Sequence, residues 1–465
     1  MNATVREFEA IQATTIANLD LEARCEHALE LLLTHRGNPS AEVERILADD
    51  PQYVPGHCLR AALIVRADKA SGRPRLVDSL VAIETACPDV RARMHRHAAA
   101  ARAWLDGDPA VAAERYGAIA GDWPSDVLGL AVAHALDFHL GQRRIMRDRI
   151  AQVLPAWAAT MPGYASVLAM YAFGLEENGE YDLAEEMARR ALALDARHAG
   201  AIHVVAHVME MQGRASEGLE FLSASEFAWR DGTDLSVHLA WHRALFQLDA
   251  NDAKPALATY DARISIARPS DMTALADASA LLWRLKLRNI EVNVRWRQLA
   301  DRWEKLALTG ARPFYIVHAM MAFAATGRTE AAARALGALQ RIDHADPSPP
   351  LTEDVLALPF CEALLAFAGG DYPSCIVSLT RVRHIANLCG GSVAQCDVVH
   401  LTFTEAAIRA GALRLAEALV AERVAERPAS RLNRLLRRRL RFSSQHRDDH
   451  AVHRRCDAVL AAEAR

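Results

Sequence analysis

Gly179-Glu-Tyr-Asp-Leu-Ala-Glu-Glu-Met-Ala-Arg-Arg-Ala-Leu-Ala-Leu-Asp195 is the stretch on which the fold is decided. Leu183, Met187, Ala191 and Leu194 recur at helical spacing and fall on one apolar stripe, with charged residues between them. Gly179 precedes this helix as the residue that ends the one before it, a place that wants a positive φ. The same punctuation returns along the chain. Gly107 opens Gly-Asp-Pro-Ala-Val-Ala-Ala, Gly141 lies 34 residues on, and Gly213 follows Gly179 by 34 again. Gly327, Gly369 and Gly411 continue at intervals of 42. A 34-residue helix–turn–helix period is the mark of tetratricopeptide repeats. Ala184 and Gly218 sit five positions past their turn glycines, where two helices must approach closely. Where no glycine falls one period after Gly213, Asp249-Ala-Asn-Asp252 has the turn chemistry to fill the slot. The expected fold is all-α, a tetratricopeptide-like superhelix of about ten helix pairs strongly curved around a central groove or pocket.

Working outward, the whole chain of 465 residues is 51% hydrophobic and 24% charged, enough apolar material for a large core. Runs of alternating β-branched residues are nearly absent. The solenoid is expected over residues 21–441, with an N-terminal extension at 1–20 and a polar tail at 442–465. Asp343–Pro350, with three prolines, is the expected kink. A formal net charge of −4 gives no reason to expect nucleic acid or an anionic membrane as partner. No apolar run reaches the ~18 residues a membrane span needs, and residues 1–20 lack the apolar core of a signal peptide. The eight cysteines include no Cys-x-x-Cys, so reduced thiols and a cytoplasmic location are expected.

Four histidines stand out from this background. They read His203-Val-Val-Ala-His207-Val-Met-Glu210 and His238-Leu-Ala-Trp-His242, on the first helices of two consecutive repeats. On a helix, positions four apart lie ~40° apart, and Glu210 returns to within ~20° of His203. His203, His207 and Glu210 therefore share a face. His238 follows His203 by 35 residues and His242 follows His207 by 35, one repeat period. The rings are expected to converge. His97, His134 and His318 sit at comparable depth in their own first helices, and Asp234, one turn before His238, is placed to orient it.

Three kinds of chemistry suit this set. His203, His207, Glu210, His238 and His242 are suitable ligands for a divalent metal such as zinc, iron or manganese, which would activate water for hydrolysis. Without metal, His207 and Glu210 are candidates for general acid–base work. Histidines that simply hydrogen-bond across tight helix interfaces are the commonest outcome for such positions. Trp241, flanked by the second pair, could face a ligand, whereas Trp123, Trp157, Trp283 and Trp296 read as repeat core. The expected partner is a small polar molecule in a pocket; the alternative is a non-catalytic adaptor holding a short peptide in its groove.

Farther on, Arg431–Arg441 holds six arginines in eleven residues, but its leucines form a helical stripe. A terminal capping helix with a solvated arginine face is expected there. Gly390-Gly391-Ser392 reads as a turn. His446, His450 and His453 lie in the polar tail.

The chain resembles the tetratricopeptide repeat protein 38 family. The stretches that carry the likeness run from Ala48-Asp-Asp-Pro-Gln-Tyr-Val-Pro-Gly-His57, through Asp126–Asp148 and Tyr171–Glu176, to His203–Phe221 and Asp234–Leu245. Ala276–Leu285, Leu358–Cys361 and Gly390–Asp397 complete them. The likeness covers about residues 20–440, and the two histidine segments are its most specific part. It implies a tetratricopeptide fold and a soluble cytoplasmic protein, and it brings no established reaction. The shared pattern includes His57, His134, His203, His207, Glu210, His238, His242, Asp277, Arg284 and His318. It thereby implies that His57, His134, Asp277, Arg284 and His318 join Trp241 around a ligand. The chain departs from the pattern at Gly200, Ile316 and Cys396, where tryptophan, aspartate and arginine are usual. If those groups complete the pocket, this chain takes a different ligand or has lost part of an activity.

Overall fold

Alanine- and leucine-rich segments punctuated by left-handed residues give a chain that is helical almost throughout. The computed structural model describes residues 20–444 apart from 68–69, 87–91, 269–270, 307, 309–310 and 343–351. The expected kink at 343–350, the N-terminal extension up to residue 19 and the tail histidines lie outside the described residues. Packing divides the described chain into two units, one up to Val204 together with Asp231–Leu235, the other from Val205 onward without that short segment.

The first unit holds α1 (20–33), α2 (Pro39–Asp49), α3 (Val54–Ala67), α4 (Arg73–Glu84), α5 (Ala92–Leu105), α6 (Pro109–Asp122), α7 (Val127–His139), α8 (Arg143–Val153), α9 (Tyr164–Glu177) and α10 (Tyr181–Leu194). α11 (Ala199–Met211) begins in it and ends in the second unit. The second unit continues with α12 (Ala215–Ala224), α13 (Glu226–Trp229), α14 (Ser236–Asp249), α15 (Ala253–Thr259), α16 (Met272–Leu287), α17 (Asn293–Glu304) and α18 (Pro313–Thr326). Then come α19 (Thr329–Ile342), α20 (Thr352–Ala368), α21 (Tyr372–Val382), α22 (Val393–Arg409), α23 (Leu413–Glu426) and α24 (Arg431–Ser444). No strand occurs among the described residues, and no described helix is long and apolar enough to cross a membrane.

The ten expected pairs are the successive helices α3–α4 through α22–α23, leaving α1, α2, the four-residue α13 and α24 outside the series. Neighbours pack on one another, as α5 does on α6, α9 on α10, α16 on α17 and α20 on α21. The turns behave as their chemistry requires. Gly179 and Gly213 have φ of 81° and 75°, and Asn251 supplies the left-handed residue, φ 63°, in the slot that lacks glycine. In the Gly369-Gly370 turn it is Gly370, not Gly369, that takes the positive φ.

Within the second unit the first helices of successive pairs form a row, α14 on α16, α16 on α18, α18 on α20 and α20 on α22. That row returns on itself, because α22 also packs against α16 and α24 against α14. Trp283 of α16 donates its indole N–H to Thr402 of α22 at 2.9 Å. Arg431–Ser444 is the expected capping helix. Leu436 and Leu440 are buried while Arg434, Arg437 and Arg438 face solvent. The row's return brings α11, α14, α16 and α22 together, and the polar cluster lies where they meet.

Candidate functional site

α11 reads Ala-Gly-Ala-Ile-His-Val-Val-Ala-His-Val-Met-Glu-Met, apolar nearly all round. Such a helix is buried on every side, so its few polar residues must find partners inside the protein. His207 and His242 are fully buried, as is Trp241, and Asp277 is nearly so.

A continuous chain of contacts crosses the second unit. Glu210 Oε2 on α11 lies 2.7 Å from His242 Nδ1 on α14. His242 Nε2 lies 3.2 Å from His238 Nε2, one turn earlier. His238 Nδ1 lies 2.8 Å from Asp277 Oδ2 on α16. Asp277 Oδ1 accepts a bond of 3.3 Å from the Gln395 amide on α22. Gln395 Oε1 in turn accepts the Ser392 N–H at 3.1 Å, half of a capping box that starts α22.

The tautomers follow from the acceptors. A carboxylate only accepts, so both Nδ1 atoms carry hydrogen and each neutral ring presents its Nε2 lone pair. Two lone pairs 3.2 Å apart repel unless a cation, a proton or a metal ion, lies between them. For a tetrahedral metal with bonds of about 2.05 Å the nitrogens would stand about 3.3 Å apart, close to the observed spacing. Ligand nitrogens of His207, His238 and His242 lie within 4.8 Å of one another. The His207 ring centroid is 4.5 Å from that of His242. Burial alone would lower the His238 pKa, but Asp277, through its charge and its hydrogen bond, and Glu210 outweigh burial and raise it. Burial, the largest influence, raises the Glu210 pKa against the opposing pull of Arg427 and His207.

Trp241 stacks on His238 with planes 15° apart and centroids 5.3 Å apart. The Arg284 guanidinium stands 5.4 Å from the Trp241 ring. Arg284 donates to the carbonyls of Ala280 and Ala394, tying α16 to the first turn of α22. Burial lowers its pKa from the ordinary arginine value.

Two cavities flank this cluster. The larger, about 760 Å³ and partly open to solvent, is lined by Glu210, Arg284, Asp397, Arg423 and Arg427 among others. There Asp397 accepts from Arg423 at 2.7 Å and lies 3.5 Å from Arg427. The smaller, about 410 Å³, is walled mainly by carbon and lined by His318 and Gln395 among others. The three histidines line neither cavity, and Glu210 is the group that touches both the first cavity and His242.

The expectations of the sequence are met unevenly. His207, His238, His242 and Glu210 do come together. Glu210 reaches the Nδ1 of His242 and is not among the groups gathered with the histidine nitrogens. Its carboxylate is placed to fix the tautomer of His242. Asp234 was expected to orient His238. It precedes α14, so helical spacing does not apply to it, and it accepts from His35 Nδ1 at 3.0 Å. The carboxylate on His238 is instead Asp277, nearly fully buried and also bonded to Gln395. Trp241 likewise lines neither cavity. Arg284 lines the first cavity and His318 the second.

The remaining candidates belong to the first unit. His203 stands one turn before His207 on α11, its ring 5.7 Å from that of Phe173. His57 is used locally, with Nε2 2.9 Å from the Pro51 carbonyl and Nδ1 3.2 Å from Arg60. His134 packs on Phe173, and burial pushes its pKa down to about 3. His97 bonds Asp126 at 3.0 Å.

Arg423 and Arg427 were not expected from the sequence, and Gln395 and Asp397 entered only within the Gly390–Asp397 stretch of the family likeness, not as site residues. Only Gln395 had a local signal, the Ser-x-x-Gln capping pattern from Ser392. No protein-family model matches the chain.

Proposed function

We propose that this chain is a tetratricopeptide-type protein that binds a divalent metal ion at His207, His238 and His242 and a small polar ligand in the cavity beside Glu210, with hydrolysis as its chemistry. The observation that carries the reading is the pair of carboxylate-backed histidines whose Nε2 atoms face each other at 3.2 Å beside a third histidine. Carboxylate–histidine–metal chains fix the tautomer and raise ligand basicity, which is what the two Nδ1 contacts would do here. A bound metal would supply Lewis acidity and a water of lowered pKa. Arg284 and Arg427 suit the acidic part of a ligand, and Glu210 is the side chain through which that ligand meets the cluster. The likeness to the tetratricopeptide repeat protein 38 family and a cytoplasmic location belong to the same proposal.

The test is elemental analysis of protein purified without a histidine tag, with melting temperatures in zinc, manganese and iron. About one metal per chain, lost in His242→Ala, is the expected result. Metal-free protein whose melting temperature ignores all three ions would falsify the metal centre. The facing nitrogens would then share a proton.

A further inference from the structure

The smaller cavity takes no part in that chemistry. Phe314, Val317 and His318 of α18, Phe360 of α20, and Cys396 and Val399 of α22 give it walls that are almost entirely carbon. The polar groups around it are engaged with the protein itself. Gln395 serves Asp277 and Ser392. The Cys396 thiol is directed at the carbonyls of Ala386, Gly390 and Gly391.

His318 is different. Its Nδ1 lies 2.7 Å from the Phe314 carbonyl, which can only accept, so Nδ1 carries the hydrogen. Burial pushes its pKa down to about 4, so the ring is neutral near pH 7 and Nε2 is a bare acceptor. That atom is buried and has no hydrogen-bond partner among the described residues, while the residue is only 4% exposed. A buried acceptor is costly until something donates to it.

We propose that the cavity binds a small, neutral, largely apolar molecule bearing one hydroxyl, whose O–H donates to His318 Nε2. An ammonium group would bury charge and leave N–H groups unmet among carbon walls. An amide would bring a second polar group with nothing to receive it. A lone water, which needs two to four polar partners, would find one. The Phe314 and Phe360 rings suit a flat ring. Phenol is the simplest probe.

The experiment titrates the full-length chain with phenol and with benzene by calorimetry, and follows the melting temperature. Phenol should bind saturably and about tenfold more tightly than benzene, the difference being one hydrogen bond. In His318→Phe that preference should vanish. Should that variant fail to fold, Val399→Phe, which fills the cavity and leaves His318 in place, should lose both ligands. Equal affinities for phenol and benzene, no binding of phenol, or full phenol preference in His318→Phe would each overturn the proposal. None of these outcomes depends on whether the histidine cluster holds a metal.

Discussion

Asp277 has both oxygens committed, one to His238 and one to Gln395. It therefore fixes the tautomer of His238 and ties α16 to α22 at once. Asp277→Asn keeps the shape and lets an amide nitrogen face His238 Nδ1–H. Zinc affinity should fall by about 10–100-fold, the usual effect of losing an outer-shell carboxylate, while the circular dichroism spectrum stays helical. A zinc affinity equal to wild type would show that Asp277 does not hold the ring for a metal. The histidines were legible because their signal is local: two His-x-x-x-His pairs, one repeat apart. Their partners were not. Asp277 lies 39 residues beyond His238 and Gln395 118 beyond Asp277, and nothing in their own stretches points across those gaps. Asp277 entered only through the family resemblance, and as a ligand contact rather than a buttress.

Elements were easier to read than contacts, because turn chemistry and helix–helix approach are written within a few residues. Gly218 is an example. A Cβ there would meet the Phe246 ring of α14 at 2.4 Å, inside any allowed contact. Gly218→Ala should destabilise by about 1–3 kcal/mol through overpacking, read as a lower urea midpoint. An unchanged midpoint would mean that α12 and α14 can separate freely. The start of α22 carries another expectation. Ser392→Ala removes the side chain that accepts the Gln395 N–H and should cost about 1 kcal/mol of stability. It should also weaken zinc binding, because Gln395 loses half of its capping box. Loss of stability with zinc affinity untouched would separate the cap from the cluster. The misplaced left-handed residue, Gly370 in place of Gly369, shows the grain of such reading. A Gly-Gly pair marks a turn without saying which member carries the unusual φ.

On the scale of the molecule, the second unit carries a buried ionic cluster that no repeat period announces. Asp397 of α22 holds Arg423 and Arg427 near the end of the chain, and Arg427 also reaches Met211 on α11. Burial alone would raise the Asp397 pKa, but the charges of Arg423 and Arg427 outweigh it and hold the carboxyl far below the usual carboxylate range. The sign is that of a depressed acid. Its stabilising contribution is complete above the unfolded value of about 3.9 and fades as pH falls further. Asp397→Asn should cost about 3–5 kcal/mol at neutral pH, since two buried guanidiniums lose their counter-charge. Its stability should also decline less steeply than wild type below about pH 4. Urea titrations at pH 7 and pH 3 check both, and equal losses at the two pH values would rule out the ion pair as the cause. The repeat period foretold helices packing in adjacent pairs. It did not foretell that α22 would come back to α16, because that return depends on side chains more than a hundred residues apart. The return gives the Ser392 N–H an unusual second meaning. The Gln395 side chain that accepts this N–H also donates to Asp277, and Asp277 holds His238, so fraying at the helix start is coupled to the imidazole. If the proposed metal site is real, the hydrogen-exchange rate of the Ser392 backbone amide should fall when zinc is added, and so serve as a clock for the cluster.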